Sequence, residues 1–283
     1  MTHLWSVFTK PWSAMPADSL GRLVSGLGFS GAEVPVREGA FVTSAEAEQR
    51  LPGFVAELRR HGVEVISIAG DLGESTFAAC RSAGVPLIRV MADLGPDGYA
   101  LSVRRVRQRL EAAAPLAESY DVQVGVQPHH GRFVSSVLGV LDLLDGLPPE
   151  HFRVIWDAAH DALAGDDPRV TLELVAGRLG IVNLKNVVYV PREPDRSAVG
   201  GAWKPWFVHG SDGLSNWSAV FEQLDRMGWT GPICLSGQYS DPSVPVEDRL
   251  KIDLEAARTA ASTGVTRTPA KGQECDSRSS VAE

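Results

Sequence analysis

The chain has 283 residues, of which 44% are hydrophobic, and this is enough for one large hydrophobic core. Its formal net charge of -8 at pH 7 argues against nucleic acid or an anionic membrane surface as the main partner. The 3 cysteines show no CxxC spacing, and the first residues resemble neither a signal peptide nor a membrane helix, so we expect a cytoplasmic protein with reduced thiols.

Strand-like and helix-like patterns alternate along the chain. Short apolar runs predict strands at residues 4–8, 32–36, 63–69, 86–91, 122–127, 152–156, 181–185 and 232–236. Amphipathic segments predict helices at residues 18–27, 44–61, 74–83, 99–120, 135–144, 169–178, 215–227 and 246–261. Strict alternation of this kind is typical of a parallel sheet.

Eight such units without a GxGxxG fingerprint after the first strand favour a closed barrel over an open nucleotide-binding sheet. We therefore predict a single α/β domain, a (β/α)8 TIM barrel, over residues 1–262. The small polar residues of 263–283 predict a disordered C-terminal tail. We predict an irregular functional loop at residues 190–213, because this long stretch contains Trp203, Trp206 and His209.

The sixth predicted strand delivers two polar side chains to its C-terminal end. The run FRVIWDAAH begins with apolar residues at Phe152 and ends with Asp157 and His160. In a TIM barrel, the C-terminal ends of the strands form the catalytic face. The alternative is that Asp157 caps the following turn and that His160 is an ordinary, partly buried histidine.

The other predicted strands also end in polar side chains. These are Lys10, Glu33, Arg37, Asp71, Arg89, Gln127, His129, His130, Asn183, Lys185, Ser236 and Gln238. Burying such groups above an apolar core is costly unless they face a ligand or one another. A ring of amides, imidazoles and cations suits a polyhydroxylated or anionic small molecule. Trp12, Trp203 and Trp206 are candidates for an apolar wall against a sugar ring.

Several segments carry a specific family resemblance. They are FTKPWS, GFSGAEVPVREG, VQPHHG, WDAAHDALAG, VNLKN, HGSDGLSNW and GPICLSGQY. In order and spacing the chain resembles the xylose-isomerase-like TIM barrels, the sugar phosphate isomerase/epimerase family, up to about residue 262. The resemblance implies a barrel enzyme that acts on a sugar-like compound.

The resemblance also implies a divalent metal held by a Glu ending strand five, the Asp of strand six, a His of strand seven and a Glu of strand eight. The matching positions here are Gln127, Asp157, Asn183 and Ser236, with Gln238 nearby. Only Asp157 is retained, and neutral ligands hold hard divalent cations weakly. We therefore expect no tightly bound cofactor and at most weak binding of Mn, Mg or Zn through Asp157.

The proton carriers that remain direct the predicted chemistry to histidine. His160 matches the substrate-contacting histidine of the family, and His129 matches a histidine often found after strand five. Because Gln is no general base, we predict that His129 or His160 abstracts a proton next to a carbonyl. The predicted catalytic residues are His129, Asp157, His160 and Lys185. Arg89 and Lys10 are expected to join Lys185 in stabilising the enolate oxygen.

The predicted function is an isomerase or epimerase acting on a small sugar, sugar-derived or cyclitol carbonyl compound. The predicted substrate contacts are Lys10, Glu33, Arg37, Arg89, Gln127, His130, Trp203, His209 and Gln238. Two alternatives stay open: a lyase acting on a keto-glycoside, and a non-catalytic carbohydrate-binding or partner subunit that kept the barrel. We expect a small-molecule substrate and neither nucleic acid nor membrane as partner, and we leave a homo-oligomer open.

Overall fold

The computed structural model describes residues 3–192 and 202–264. In these residues the strands, in chain order, are β1 (Trp5–Phe8), β2 (Gly31–Pro35), β3 (Glu64–Ala69), β4 (Leu87–Met91), β5 (Gln123–Gln127), β6 (Phe152–Asp157), β7 (Leu179–Leu184), β8 (Asn186–Pro191), β9 (Trp203–Val208) and β10 (Ile233–Leu235). Eight of them close a parallel barrel in the order β1-β10-β7-β6-β5-β4-β3-β2. The predicted (β/α)8 TIM barrel is confirmed.

Helices cover the outside of the barrel. They are α1 (Ala17–Gly26), α2 (Ala47–Arg60), α3 (Glu74–Ala83), α4 (Tyr99–Tyr120), α5 (Val137–Leu143), α6 (Ala158–Ala164), α7 (Pro168–Leu174), α8 (Trp217–Arg226) and α9 (Val246–Gly264). The sequence pattern did not predict α6. This helix has only 7 residues and begins directly after β6, so it is too short to show a helical period.

The interior of the barrel explains why polar residues gather at one end. Ile66, Leu87, Ile155, Ile181 and Cys234, each from a different strand, form a small buried apolar cluster. Side chains two positions apart on a strand point to the same face. Two residues further on, four of these positions point the same way: Arg89, Asp157 and Asn183 within their strands, and Ser236 just past the end of β10. The apolar cluster therefore closes the barrel beneath a polar layer.

The expectation of irregular structure over residues 190–213 is wrong for the part that forms β9. β9 pairs antiparallel with β8, from Asn186 opposite Val208 to Pro191 opposite Trp203. Pro205 and the neighbouring aromatic residues obscure the alternating pattern of a strand. β8, the strand with which β9 pairs, begins before residue 190. Residues 193–201 lie outside the described part of the chain.

The loop after this hairpin is fixed to it by Asn186. The Asn186 side chain donates to the backbone oxygens of Gly210 and Ser215 and accepts from the backbone N–H of Ser215. A Cβ atom at position 213 would collide with the Asn186 side chain, so the close approach requires Gly213. The segment HGSDGLSNW therefore has a structural role in holding the hairpin over the barrel.

Helix α9 extends through Gly264, and the predicted disordered tail beyond it lies outside the described residues. Within residues 3–192 and 202–264, no helix combines the length and the apolar composition needed to cross a bilayer.

Candidate active site

Side chains from neighbouring strands meet in a chain of short polar contacts at the C-terminal end of the barrel. Arg89 Nε donates to Glu33 Oε1 at 2.5 Å, and Arg89 Nη1 donates to Gln127 Oε1 at 2.5 Å. Gln127 Nε2 donates to Asp157 Oδ2 at 2.6 Å. All four side chains are buried. The layer is therefore a continuous network that links β2, β4, β5 and β6.

Asp157 has two separate roles, one for each carboxylate oxygen. Its Oδ1 accepts from the backbone N–H groups of Ala159 and His160, both at 3.1 Å, and so caps α6. Its Oδ2 faces Gln127 and lies 3.4 Å from Lys185 Nζ. The capping alternative for Asp157 is thus correct for one oxygen, and the other oxygen belongs to the candidate site.

Lys185 lies at the centre of this end of the barrel. Its Nζ is 2.8 Å from His160 Nε2, 3.5 Å from Gln238 Oε1 and 3.4 Å from Asp157 Oδ2. Burial lowers the pKa of the Lys185 ammonium, and the Asp157 charge opposes this effect. Burial by itself would raise the pKa of Asp157, but Lys185 and the backbone N–H bonds hold it below its usual value.

The burial of His160 and His129 favours the neutral form of both side chains. Burial lowers the pKa of His160 to about 2 and that of His129 to about 4, and the positive charge of Lys185 adds to both effects. His129 Nδ1 lies 2.7 Å from the backbone oxygen of His130, which accepts its proton. The unprotonated nitrogen of His129 is therefore Nε2. The His129 ring packs 4.0 Å from the His160 ring, measured between centroids.

A cavity of about 450 Å³ opens above the polar network, a volume typical of small-molecule sites. Its lining combines cations, amides and apolar groups. The lining residues are Phe8, Lys10, Val36, Arg37, Ser44, Ala69, Gly70, Asp71, Arg89, Val90, Met91, Asp93, Arg109, Gln127, His129, Phe133, Asn183, Lys185, Ser236 and Gln238. Asn183 Oδ1 is buried there without a hydrogen-bond partner among the described residues.

The structure brings most of the predicted site residues to this cavity. Those that line it are Lys10, Arg37, Arg89, Gln127, His129, Asn183, Lys185, Ser236 and Gln238. Glu33, Asp157 and His160 contact the lining residues from behind. His130 stacks on Phe207 of the hairpin, with ring centroids 6.1 Å apart.

Two predicted contacts lie elsewhere. Trp203 on β9 is 57% exposed, and it does not line the cavity. His209 Nδ1 lies 3.2 Å from Asp253 Oδ1 on α9, where Tyr239 also donates to Asp253. His209 therefore takes part in anchoring the hairpin, and its substrate contact stays a prediction.

Three aromatic or charged residues of the site were not singled out from the sequence. Phe133 packs edge-on against His129 at 4.8 Å, and Lys185 Nζ lies 5.2 Å from the centre of the Phe207 ring. Arg109 of α4 reaches the cavity and pairs with Asp93 at 3.1 Å. Phe133 follows the HHG turn closely, and this spacing was the one sequence signal available for it.

The donor set of this site does not fit a divalent metal. Gln127 is a neutral amide, and its carbonyl oxygen and NH₂ group are already engaged by Arg89 and Asp157. The Asp157 oxygens are already used by N–H donors, and the ammonium of Lys185 lies 3.4 Å away. A divalent cation here would face the positive charges of Arg89 and Lys185, each of which already pairs with one of the two carboxylates, Glu33 and Asp157.

A different acidic group lies on the outer helices. Asp18, Glu57 and His61 bring potential ligand atoms within 4.8 Å of one another on α1 and α2. Asp18 is half exposed and already pairs with Arg22 at 2.8 Å. This cluster does not belong to the barrel mouth.

The family profile described as the xylose isomerase-like TIM barrel matches residues 22–260, and the chain belongs to this family. A curated relative, inosose dehydratase 2 from Bacillus cereus, is 23% identical over 221 residues, covering 75% of this chain and 71% of the relative.

Two solved structures share the fold over nearly their whole length. The 3-keto-D-glucoside 4-epimerase of E. coli has a TM-score of 0.69 at 15% identity, covering 91% of this chain and 100% of that one. An L-ribulose 3-epimerase has a TM-score of 0.71 at 15% identity, covering 95% and 100%.

Proposed function

We propose that this protein is an enzyme that removes a proton from the carbon next to the carbonyl of a small sugar, sugar-derived or cyclitol compound, in an isomerisation or epimerisation. One observation carries the proposal. A neutral imidazole, His129, and a buried cation, Lys185, line the same cavity, and Lys185 is held between Asp157 and His160. This arrangement supplies a base and an electrophile without a metal.

His129 is the proposed general base. Its Nδ1 proton is donated to the His130 backbone oxygen, which leaves the Nε2 lone pair to accept a proton. The lowered pKa, about 4, keeps this nitrogen in its base form at neutral pH. His129 is a weak base for that reason, so the carbon acid must be made more acidic by stabilising the enolate.

Lys185 is the proposed electrophile. An enolate oxygen develops negative charge in the transition state, and a fixed cation in a buried site stabilises that charge more strongly than water does. Asp157 and His160 hold the Lys185 ammonium from two sides. His160 is thus a positioning residue in this proposal, because its Nε2 is already engaged by Lys185.

Neutral side chains occupy the positions that match the metal ligands of the family, and they can form hydrogen bonds with the hydroxyl groups of a substrate. Asn183 Oδ1 is an unused acceptor in the cavity wall, and Ser236 and Gln238 lie beside it on the lining. Both ends of Gln127 are engaged, the carbonyl oxygen by Arg89 and the NH₂ group by Asp157, so its proposed role is to connect the network. A polyhydroxylated substrate would satisfy the groups that remain.

Similar proteins support this class of chemistry. The names 3-keto-D-glucoside 4-epimerase and L-ribulose 3-epimerase describe a change at the carbon next to a ketone. The curated relative is named an inosose dehydratase, and loss of water next to a ketone starts with removal of the same kind of proton.

Dehydration is the second candidate, and one feature of the site favours it. Among the described residues that line the cavity, His129 is the single imidazole. One base can remove the proton and then deliver it to a hydroxyl that leaves from the same side of the substrate. Epimerisation, by contrast, needs a proton delivered to the opposite face.

Proton exchange in deuterated water tests the proposal. The parent protein is incubated with a panel of keto-sugars and inososes, and NMR follows both exchange of the α-proton and any epimer or dehydrated product. We expect His129→Gln to slow exchange by about 100-fold or more, within the usual contribution of a general base. His151→Gln, a turn residue before β6 at the other end of the barrel, is the matched control and should behave like the parent.

Both variants must melt like the parent for the comparison to hold. A parent protein that exchanges no proton with any panel member, yet binds a sugar tightly, would overturn the enzyme proposal and favour the carbohydrate-binding subunit.

A further inference from the structure

Two cations stand on the side of the cavity opposite His129, the proposed base. Lys10 follows β1 and Arg37 follows the end of β2, and these strands are neighbours in the barrel. In the closed strand order, β1 lies opposite β5 and β2 lies opposite β6. On that opposite side, Asp157 ends β6 and His129 follows the end of β5. A ligand that spans the mouth would thus contact both groups at once.

The other cations that line the cavity each have a carboxylate partner. Arg89 pairs with Glu33, Arg109 with Asp93 and Lys185 with Asp157. In the part of the chain that the structure describes, the side chains of Lys10 and Arg37 make neither an ion pair nor a hydrogen bond. We call these two side chains the cationic rim.

Both residues of the cationic rim lie in turns that are closed by backbone hydrogen bonds. Lys10 begins a short 3₁₀ turn that contains Pro11, and its backbone oxygen accepts from Ser13 at 3.3 Å. The Arg37 backbone N–H donates to Val42 at 3.2 Å, and its oxygen accepts from Ala40 at 3.1 Å. These hydrogen bonds hold the backbones of Lys10 and Arg37 on the same side of the cavity, where repulsion between the two like charges is unfavourable.

Electrostatics of the site agree with this geometry. Burial lowers the pKa of Lys10, and the positive charges of Arg37 and Arg89 lower it further, so the three cations influence one another. The whole chain has a formal net charge of -8, whereas the charged residues that line the cavity are five cations and two carboxylates, Asp71 and Asp93, so the lining is a local reversal of sign. Such a cleft concentrates anions.

We infer that the substrate carries a carboxylate or a phosphate, bound by Lys10 and Arg37 on the side of the cavity opposite His129. The inference rests on the proposed function for the role of His129 and hence for the position of the reacting carbon. Arg37 offers a planar pair of N–H donors for two anionic oxygens, and Lys10 adds a point charge. Bound anion would also relieve the repulsion within the cationic rim.

Binding measurements with matched sugars test this inference. Calorimetry compares D-glucose, D-glucuronate and D-glucose 6-phosphate as probes that differ in their charged group. We expect one of the two anionic sugars to bind about 10-fold or more tightly than D-glucose, as charge-assisted hydrogen bonds allow. The tighter of the two identifies the anion as carboxylate or phosphate.

Two double variants locate the effect. Lys10→Gln with Arg37→Gln should abolish the preference for the anionic sugar. Arg60→Gln with Arg226→Gln removes two arginines from the ends of α2 and α8 and should retain it. Equal binding of neutral and anionic sugars by the parent, or a preference that survives in the Lys10 and Arg37 variant, would overturn the inference. Calorimetry measures binding and not turnover. A negative result would therefore overturn the anion-binding inference without bearing on the proton-exchange test of the proposed function.

Discussion

Gln127 and Asp157 are joined by a 2.6 Å hydrogen bond in which the amide Nε2 donates and the carboxylate Oδ2 accepts. The same amide accepts from Arg89 through Oε1. The amide makes both contacts because it carries an acceptor oxygen and a donor NH₂ group, whereas Arg only donates and an ionised Asp only accepts. A glutamate at position 127 would place two carboxylates in contact, an arrangement that suits a cation between them.

The first prediction concerns this pair. Gln127→Glu should reduce the free energy of unfolding by about 3 kcal/mol at pH 8, since it leaves like charges buried side by side. Repulsion raises the pKa values of the two carboxyl groups in the folded state, so stability falls as pH rises through them. Urea unfolding at pH 5.5 and pH 8 should therefore show a smaller loss at the lower pH. Gln127→Met, which adds no charge, should show the same loss at both values.

Lys185 is the subject of the second prediction. Lys185→Met should destabilise the fold by about 3–5 kcal/mol, because it leaves Asp157 buried without its cation. Adding Asp157→Asn should recover part of that loss in urea unfolding. Lys251→Met, which removes an exposed cation 3.7 Å from Asp248, should change stability by less than about 1 kcal/mol. Equal effects of the two lysine substitutions would contradict the buried pairing.

The third prediction concerns metal. Dialysis against EDTA should change neither the melting temperature nor the rate of proton exchange. Added Mn²⁺ at about 1 mM should give no stabilisation, because a cation that binds the folded state weakly shifts the equilibrium little. The reason is that the two carboxylates of the site, Glu33 and Asp157, are already paired with Arg89 and Lys185. A stoichiometric metal retained after dialysis would contradict this account.

The sequence predicted the barrel well because its signal is repeated eight times along the chain. It also placed Asp157, His129 and Lys185 at one end, since all parallel strands end on the same face. It did not reveal that Gln127 bridges Arg89 and Asp157. That contact joins residues 30 and 38 positions apart, and side-chain geometry alone decides it.

The hairpin shows a second limit of sequence patterns. Trp203 and His209 looked equally suitable as ligand contacts, but the pairing of β8 with β9 leaves Trp203 exposed and turns His209 to α9. Pairing between distant segments sets these orientations. Short-range periodicity carries no information about them.

The fourth prediction concerns the pH dependence of catalysis. If His129 is the base, kcat/KM for proton exchange should fall on the acid side only near pH 4, where burial has placed its pKa. The rate should therefore be flat from about pH 5.5 to 7. An exposed histidine would lose its base form near pH 6.5. An acid limb near that value would show that another group removes the proton.

The last prediction uses Asp161, the residue after His160. Asp161 is buried on α6, its Oδ1 has no hydrogen-bond partner among the described residues, and its Oδ2 accepts from Thr171 at 3.0 Å. Burial raises the pKa of this carboxyl to about 7. Between the unfolded value of about 4 and this folded value, the folded state binds more protons than the unfolded state.

Stability contributed by protonated Asp161 should therefore be fully present below about pH 4 and lost as pH rises to about 7, by up to about 4 kcal/mol. Asp161→Asn keeps the shape and removes the charge, so the variant should gain stability relative to the parent as pH rises from 5 to 8. Asp142→Asn, at an exposed carboxyl, should show no such trend in urea unfolding. A parent and an Asp161→Asn variant with parallel pH profiles would show that Asp161 is ionised in the folded state.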